Sequence, residues 1–395
     1  MSHPTNAFRI HGVVSGEHFT DRADEVARLV EVFREPGAKL LVYGPRRMGK
    51  TSAILRAVER IEAEGGHALL ADLSTATTAV DAGNRVLEAA ARSLGRTWRD
   101  LATSLAERLE ARLTLRTERG TGLVVPSLQV GLREASPEEQ RQALGSVLDT
   151  LDAMAGDRGT VLGIALDEFQ EIHRFGGDSA EWHLRGVIQH HRHLSYVLAG
   201  SAQELIRRMV AEGGAFYGML DILAFGPMDP DHLARWIDER MEESGVRPVG
   251  AGARAVEVVG PRTRDVVQVA RKAWDRSRAT GEAGPAVVDA ALAELVEEQH
   301  DLLLARWAAL SPLQQNVLRA VAGGTTGLTA RETLERFGLR ATGTATNAAA
   351  ALVDQGLLLK AESPTGYAFD SPFVREWVKA HTLVDVGMGP EGGER

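Results

Sequence analysis

Gly44-Pro45-Arg46-Arg47-Met48-Gly49-Lys50-Thr51 carries the spacing G-x-x-x-x-G-K-T. The chemistry that needs this spacing is phosphate binding. Glycines at both ends let the backbone curl so that several N–H groups face phosphate oxygens. A helix starting near Lys50 adds its positive N-terminal end. Lys50 would reach the β and γ phosphates, and the Thr51 hydroxyl would ligate Mg²⁺, a hard ion that prefers oxygen. The expected ligand is a nucleoside triphosphate, ATP with Mg²⁺, held by Gly44, Pro45, Arg46, Arg47, Met48, Gly49, Lys50, Thr51 and the neighbouring Ser52. The context matches the mechanism. Lys39-Leu40-Leu41-Val42-Tyr43 reads as a buried strand before the loop, and an amphipathic helix over 51–65 follows it.

Hydrolysis needs carboxylates at the tip of another strand. The apolar run Thr160–Leu166 ends in Asp167-Glu168. Asp167 would hold Mg²⁺, directly or through water, and Glu168 would polarise the attacking water. A solvated acidic pair capping the next helix is the plainer alternative. Another strand, Leu194–Ala199, runs into Gly200-Ser201. Ser201 could position the lytic water, but Ser201-Ala202-Gln203-Glu204 also reads as a capping box. The acids lie on a strand not adjacent in sequence to the loop strand. That favours the AAA+/RecA side of the phosphate-loop class over kinases and GTPases. No N-K-x-D sequence supports guanine specificity.

The elements that must position these groups alternate. A helix from Asp21 to Gly37, with Thr20 available as N-cap, precedes the loop strand. Strands follow at 67–73, 160–166, 194–199 and 221–225. Helices are expected over 80–112 and 137–155, with a small hairpin of 123–125 and 128–132 between them. Short apolar strands alternating with helices predict an α/β fold with a parallel sheet covered on both faces. Residues 229–300 read as helices only, with breaks at 245–252 and 279–285.

The C-terminal pattern differs. Ser311-Pro312 starts a helix to about Val321, a short helix covers 330–337, and a third runs from Thr342 to Gly356. Leu357–Lys360 and Gly366–Phe369 would form a hairpin. This order reads as a winged helix-turn-helix. From Arg306 to Lys379 there are eight basic and six acidic residues, and the reading helix Thr344–Gln355 has no Lys or Arg. DNA-reading helices supply such contacts. DNA binding through 305–382 therefore stays open beside a wing that docks an unknown protein partner or is purely structural, with the latter pair favoured.

Composition sets outer limits. The 395 residues exceed what one core usually serves, and 44% hydrophobic with 25% charged residues is ordinary for a globular protein. A net charge of −9 argues against nucleic-acid binding by the whole surface. There is no cysteine, no apolar leader from Met1 to Gly16, and no run long enough to cross a membrane. These features point to the cytoplasm. His183, His190, His191 and His193 read as a polar helix face, since no zinc spacing accompanies them.

Phe19-Thr20-Asp21-Arg22, the Tyr43–Ser52 loop, Leu166-Asp167-Glu168-Phe169-Gln170 and Ala199-Gly200-Ser201 together resemble the AAA+/STAND-like ATPases often called archaeal-type ATPases. These are similar to the origin-recognition type of AAA+ protein. The resemblance spans about residues 18–382. It implies a five-stranded parallel sheet, an all-α lid and a C-terminal winged-helix domain. It places Phe19 and Arg22 near the adenine. It implies a lid arginine sensing the γ-phosphate, for which Arg264 in Gly260–Val267 stands at the matching position, with Arg262 as fallback. Many relatives carry an arginine after Tyr-Gly where this chain has Tyr217-Gly218-Met219, so an arginine finger from that position is in doubt. Arg207 and Arg208 are substitutes. A slow or partner-stimulated ATPase, and a homo-oligomer, fit this pattern. The expected domains are a flexible arm 1–18, an ATPase domain 19–228, a lid 229–304, a winged helix 305–382 and a disordered tail 383–395.

Overall fold

The structure, a computed structural model, describes residues 8, 22–94, 112–117, 124–129, 137–201, 203–339, 341–361 and 363–383. These fall into two compact units, one within 11–227 and one within 228–395 that also takes Phe8. No helix among the described residues is long and apolar enough to cross a membrane.

In the first unit α1 (Ala23–Arg34) leads to β1 (Lys39–Tyr43), α2 (Lys50–Ala63), β2 (His67–Asp72) and α3 (Ala79–Leu94). An antiparallel pair follows, β3 (Arg112–Thr117) and β4 (Val124–Gln129). Then come α4 (Pro137–Asp157), β5 (Leu162–Asp167), α5 (Glu171–Ile188), β6 (Leu194–Gly200), α6 (Gln203–Val210) and β7 (Asp221–Ala224).

The five apolar strands make one parallel sheet in the order β2-β5-β6-β1-β7. The middle strands β5 and β6 are buried along their whole length. Side chains alternate between the two faces. Leu40 and Val42 join Val26, Leu29 and Phe33 of α1 and Ile54 and Val58 of α2. Leu41 turns the other way, into the layer of α3, α4 and α5 with Leu69, Ile164 and Leu198. Helix α1 lies close because β5 carries Gly163. A Cβ there would sit 2.5 Å from Phe33 Cδ1.

Three expectations change. The segment assigned to one helix over 80–112 contains α3, which ends at Leu94, and Arg112 already begins a strand. Leu113 and Leu115 alternate with Arg and Thr. That period of two was absorbed into a leucine-rich helical run. The hairpin therefore pairs 112–117 with 124–129, not 123–125 with 128–132. Helix α1 starts from Arg22 rather than Thr20, which lies outside the described residues.

The second unit is mainly helical: α7 (Pro230–Glu243), α8 (Ala251–Val259), α9 (Thr263–Ser277), α10 (Pro285–Glu297), α11 (His300–Ala308), α12 (Pro312–Ala322), α13 (Arg331–Arg336), α14 (Thr342–Asp354) and α15 (Pro372–Thr382). It is not helices only. The two expected breaks pair as strands β8 (Arg247–Pro248) and β9 (Glu282–Ala283). Strands β10 (Leu358–Lys360) and β11 (Tyr367–Phe369) form an antiparallel hairpin between α14 and α15. Ser311 caps α12 in a reciprocal box with Gln314. Side chains from 229–304 and from 305–382 share one apolar core, for example Val266, Leu318 and Trp377. Phe8 belongs to it, fully buried and edge-on to Trp236 at 6.0 Å, with Arg271 donating to its carbonyl. At this residue the N-terminal arm is anchored rather than flexible. The rest of the arm and the tail from 384 lie outside the described residues.

The close approach at Gly163 is testable. Gly163→Ala is expected to destabilise the chain by about 1–3 kcal/mol, as overpacking does elsewhere. A lower urea midpoint would show it, and an unchanged midpoint would mean that α1 does not pack against this strand as described.

Candidate phosphate-loop site

The sheet order determines where the chemistry collects. Strand β6 lies between β1 and β5, and all three point the same way. Their C-terminal ends bring together the loop after Tyr43, Ser201 after Gly200, and Asp167-Glu168. Ligands of open α/β sheets bind at such ends.

The loop starts at Gly44 because nothing larger fits. A Cβ there would lie 2.1 Å from the Phe225 carbonyl oxygen, in the segment after β7. Phe225 N in turn donates to Tyr43 O at 2.7 Å. Arg47 (φ 67) and Gly49 (φ 87) adopt left-handed conformations, which turn the chain into α2. For Arg47 this is uncommon backbone. Met48 is buried, whereas Arg46 and Arg47 are exposed. Lys50 is buried at the first position of α2. Its Nζ donates to the carbonyls of Gly44 (2.9 Å) and Pro45 (2.8 Å), so the ammonium is folded back along the loop. Burial lowers its pKa, while Glu168 and Asp167 push it up and Arg46 pushes it down.

One turn on, Thr51 Oγ1 donates to Asp167 Oδ2 at 2.6 Å, and Glu168 N donates to Asp167 Oδ1 at 2.9 Å. Giving its proton to the carboxylate leaves the Thr51 oxygen lone pairs for a cation. These are hard oxygen donors, the set that suits Mg²⁺. Burial pushes the Asp167 carboxyl above its usual range. The bonds from Thr51 and Glu168 oppose that push, and the neighbouring acids Glu168 and Asp72 add to it.

Glu168 follows in a left-handed conformation, φ 51. Its carboxylate accepts from Ser201 Oγ at 2.8 and 3.2 Å and from Gln170 Nε2. Arg46 Nε donates to Ser201 Oγ at 3.3 Å. The capping-box alternative for Ser201 rests on Ala202 and the Glu204 side chain, outside the described residues.

Arg22 is buried and tied into the frame. It pairs with Glu25 at 2.6 Å, donates to Gly226 O at 2.6 Å and Met48 O at 3.4 Å, and lies 4.9 Å from the Phe225 ring centroid. Phe19 lies outside the described residues. Ser52 is half-buried on α2. Arg264 is exposed at the second position of α9, in the other unit, with no hydrogen bond or ion pair among the described residues. Arg262 is engaged within that unit by the Asp370 carbonyl. Arg208 reaches the His173 ring at 3.1 Å. His191 is buried between Tyr196 Oη (2.6 Å) and Asp149 (2.9 Å). The residues that sequence reasoning left without a role are Gln170, Gly226 and the Arg46–Ser201 link. Only Gln170 had a signal, as the last letter of Asp-Glu-Phe-Gln.

Fold and site define the chain as an α/β P-loop NTPase in structure, with the acid-bearing strand one removed from the loop strand. The likeness to archaeal ATPases read from the motifs holds at the level of fold. The Walker-type ATPase PABY2304 of Pyrococcus abyssi matches with a TM-score of 0.62 at 17% identity, covering 94% of this chain and 99% of that one. The ORC1 protein of Aeropyrum pernix in complex with DNA also matches, at TM-score 0.49 and 17% identity over 94% and 95% of the two chains. The ORC2 protein of the same organism, in ADPNP–ADP complexes, matches at TM-score 0.47 and 16% identity over 95% and 97%. No protein-family model and no curated protein matches the chain.

The raised Asp167 pKa has a definite sign. Ionised Asp167 is less favourable in the fold than in the unfolded chain, so its contribution to stability falls as pH rises through the carboxylate range. Asp167→Asn can keep both contacts, accepting from Glu168 N and donating to Thr51. In differential scanning fluorimetry at neutral pH it is expected to raise the Tm of the ligand-free chain and abolish any further rise with ATP and Mg²⁺. A lower ligand-free Tm would contradict the assigned direction.

Proposed function

We propose that the chain binds ATP with Mg²⁺ and hydrolyses it. The observation that carries the reading is the 2.6 Å bond from Thr51 to Asp167, which joins the phosphate loop to the acidic strand. Lys50 neutralises the β and γ phosphates. Thr51 and Asp167 would hold Mg²⁺, which would supply positive charge to the transferred phosphoryl group. Glu168 accepts the proton of the attacking water, and Ser201, beside it, holds that water. Arg22 fixes the loop from below through the Met48 carbonyl. Arg264 enters as the γ-phosphate sensor on the resemblance alone. Nucleotide state is then passed to the lid and winged-helix segments. Turnover is slow or partner-stimulated, consistent with Met219 standing where relatives carry an arginine.

Lys50→Ala is expected to abolish ATP binding. Glu168→Gln is expected to keep ATP binding and lose about 10²-fold or more in hydrolysis, the contribution of a general base. Equilibrium binding and phosphate-release assays on the same preparations separate the two. Full hydrolysis by Glu168→Gln would remove Glu168 from the mechanism.

For the C-terminal segment we favour a protein partner over DNA. The exposed face of α14 carries Thr344 and Thr346, whose hydroxyls bond back to the carbonyls of Ala341 (2.8 Å) and Thr342 (3.0 Å). They are thus engaged within their own helix, and that helix has no Lys or Arg. Mixed-sequence DNA is expected not to bind in fluorescence anisotropy at 50 or 200 mM salt. Binding with a steep salt slope would reverse this choice.

A further inference from the structure

Gln170 has no part in the chemistry above, yet it is only 3% exposed and touches the proposed base. Its amide nitrogen donates to Glu168 Oε2. An amide meets a carboxylate only through its N–H, because two oxygens in contact repel. The carbonyl Oε1 therefore faces away, and it is buried without a hydrogen-bond partner. An unpaired buried amide oxygen is unfavourable. The fold further reserves room for it. A Cβ at Gly200, the last residue of β6, would lie 2.4 Å from that oxygen.

Glu168 is gripped a second time. Ser201 Oγ donates to it at 2.8 Å, and Ser201 is itself steadied by Arg46 Nε at 3.3 Å. Glu168 has a left-handed backbone, φ 51, and both donors meet its carboxylate. A carboxylate has about four lone-pair sites, so two donors still leave room to accept a proton from water.

We propose that Gln170 is a positioning residue, which with Ser201 clamps the Glu168 carboxylate in the orientation that meets the attacking water. This rests on the reading of Glu168 as base. The clamp acts through the donor N–H, so the sign of the group at position 170 matters more than its volume. Gln170→Met keeps the volume and loses the donor. Gln170→Glu keeps the shape and sets a second carboxylate against the first.

The test is single-turnover hydrolysis of γ-labelled ATP with Mg²⁺ by excess full-length chain, followed for hours, with ATP affinity measured on the same samples. Gln170→Met is expected to slow hydrolysis about tenfold or more, the scale on which misplaced catalytic groups lose rate. Gln170→Glu is expected to be slower still, with the ATP affinity of both within about twofold of the parent if only the chemical step is touched. A packing role would give the opposite order, since Glu fits the space of Gln better than Met. Gln170→Glu at or above the rate of Gln170→Met overturns the proposal, and so does a loss of ATP affinity that parallels the loss of rate. If the parent chain binds or hydrolyses no ATP, the reading of the site itself has failed, and the clamp falls with it.

Discussion

Thr51, in the first turn of α2, donates a hydrogen bond to Asp167 at the end of β5, a strand that is not paired with β1. In this sheet β6 sits between β1 and β5, and the parallel order of all three brings the two groups to the same end. The rest of the first unit serves this constraint. The apolar faces of the strands bury them in one layer, α1 and α2 cover one side, and α3, α4 and α5 cover the other. Arg22 closes the frame by joining the start of α1 to the loop and to the exit of β7.

The tip of the sheet is electrostatically loaded. Two acids and a lysine are brought close with limited access to water. Burial disfavours charge on both Lys50 and Asp167; neighbouring acids partly restore the lysine, and the bonds from Thr51 and Glu168 partly restore the carboxylate. Phosphate oxygens would take up the ammonium now folded onto the loop carbonyls, and a divalent cation would favour the ionised carboxylate. Perturbed groups in one place are a mark of function, and here they coincide with a loop shaped for phosphate.

Much of this was legible in the sequence because its signals are local. The loop needs glycines at set positions, and the strand before Asp167 is a short apolar run. Their meeting required only that the strands be parallel. The segment around Arg112 was not legible, since its pairing partner is another short strand, 124–129, and its own alternation is short. The anchoring of Phe8 was equally hidden, because a single aromatic in a polar arm has no periodicity. Gln170 was visible as a letter of a motif, but its role needed Glu168, Gly200 and Ser201 in space. The pairing of β8 with β9 joins two breaks that looked like plain loops.

The Thr51–Asp167 pair is proposed to mark a Mg²⁺-nucleotide site. Calorimetric titration of ATP into the ligand-free chain, with Mg²⁺ and with a chelator, tests it most directly. The account predicts binding that is clearly tighter with Mg²⁺ and loses that dependence in Thr51→Ala. ATP affinity that is the same with and without the metal, or no binding at all, would contradict it.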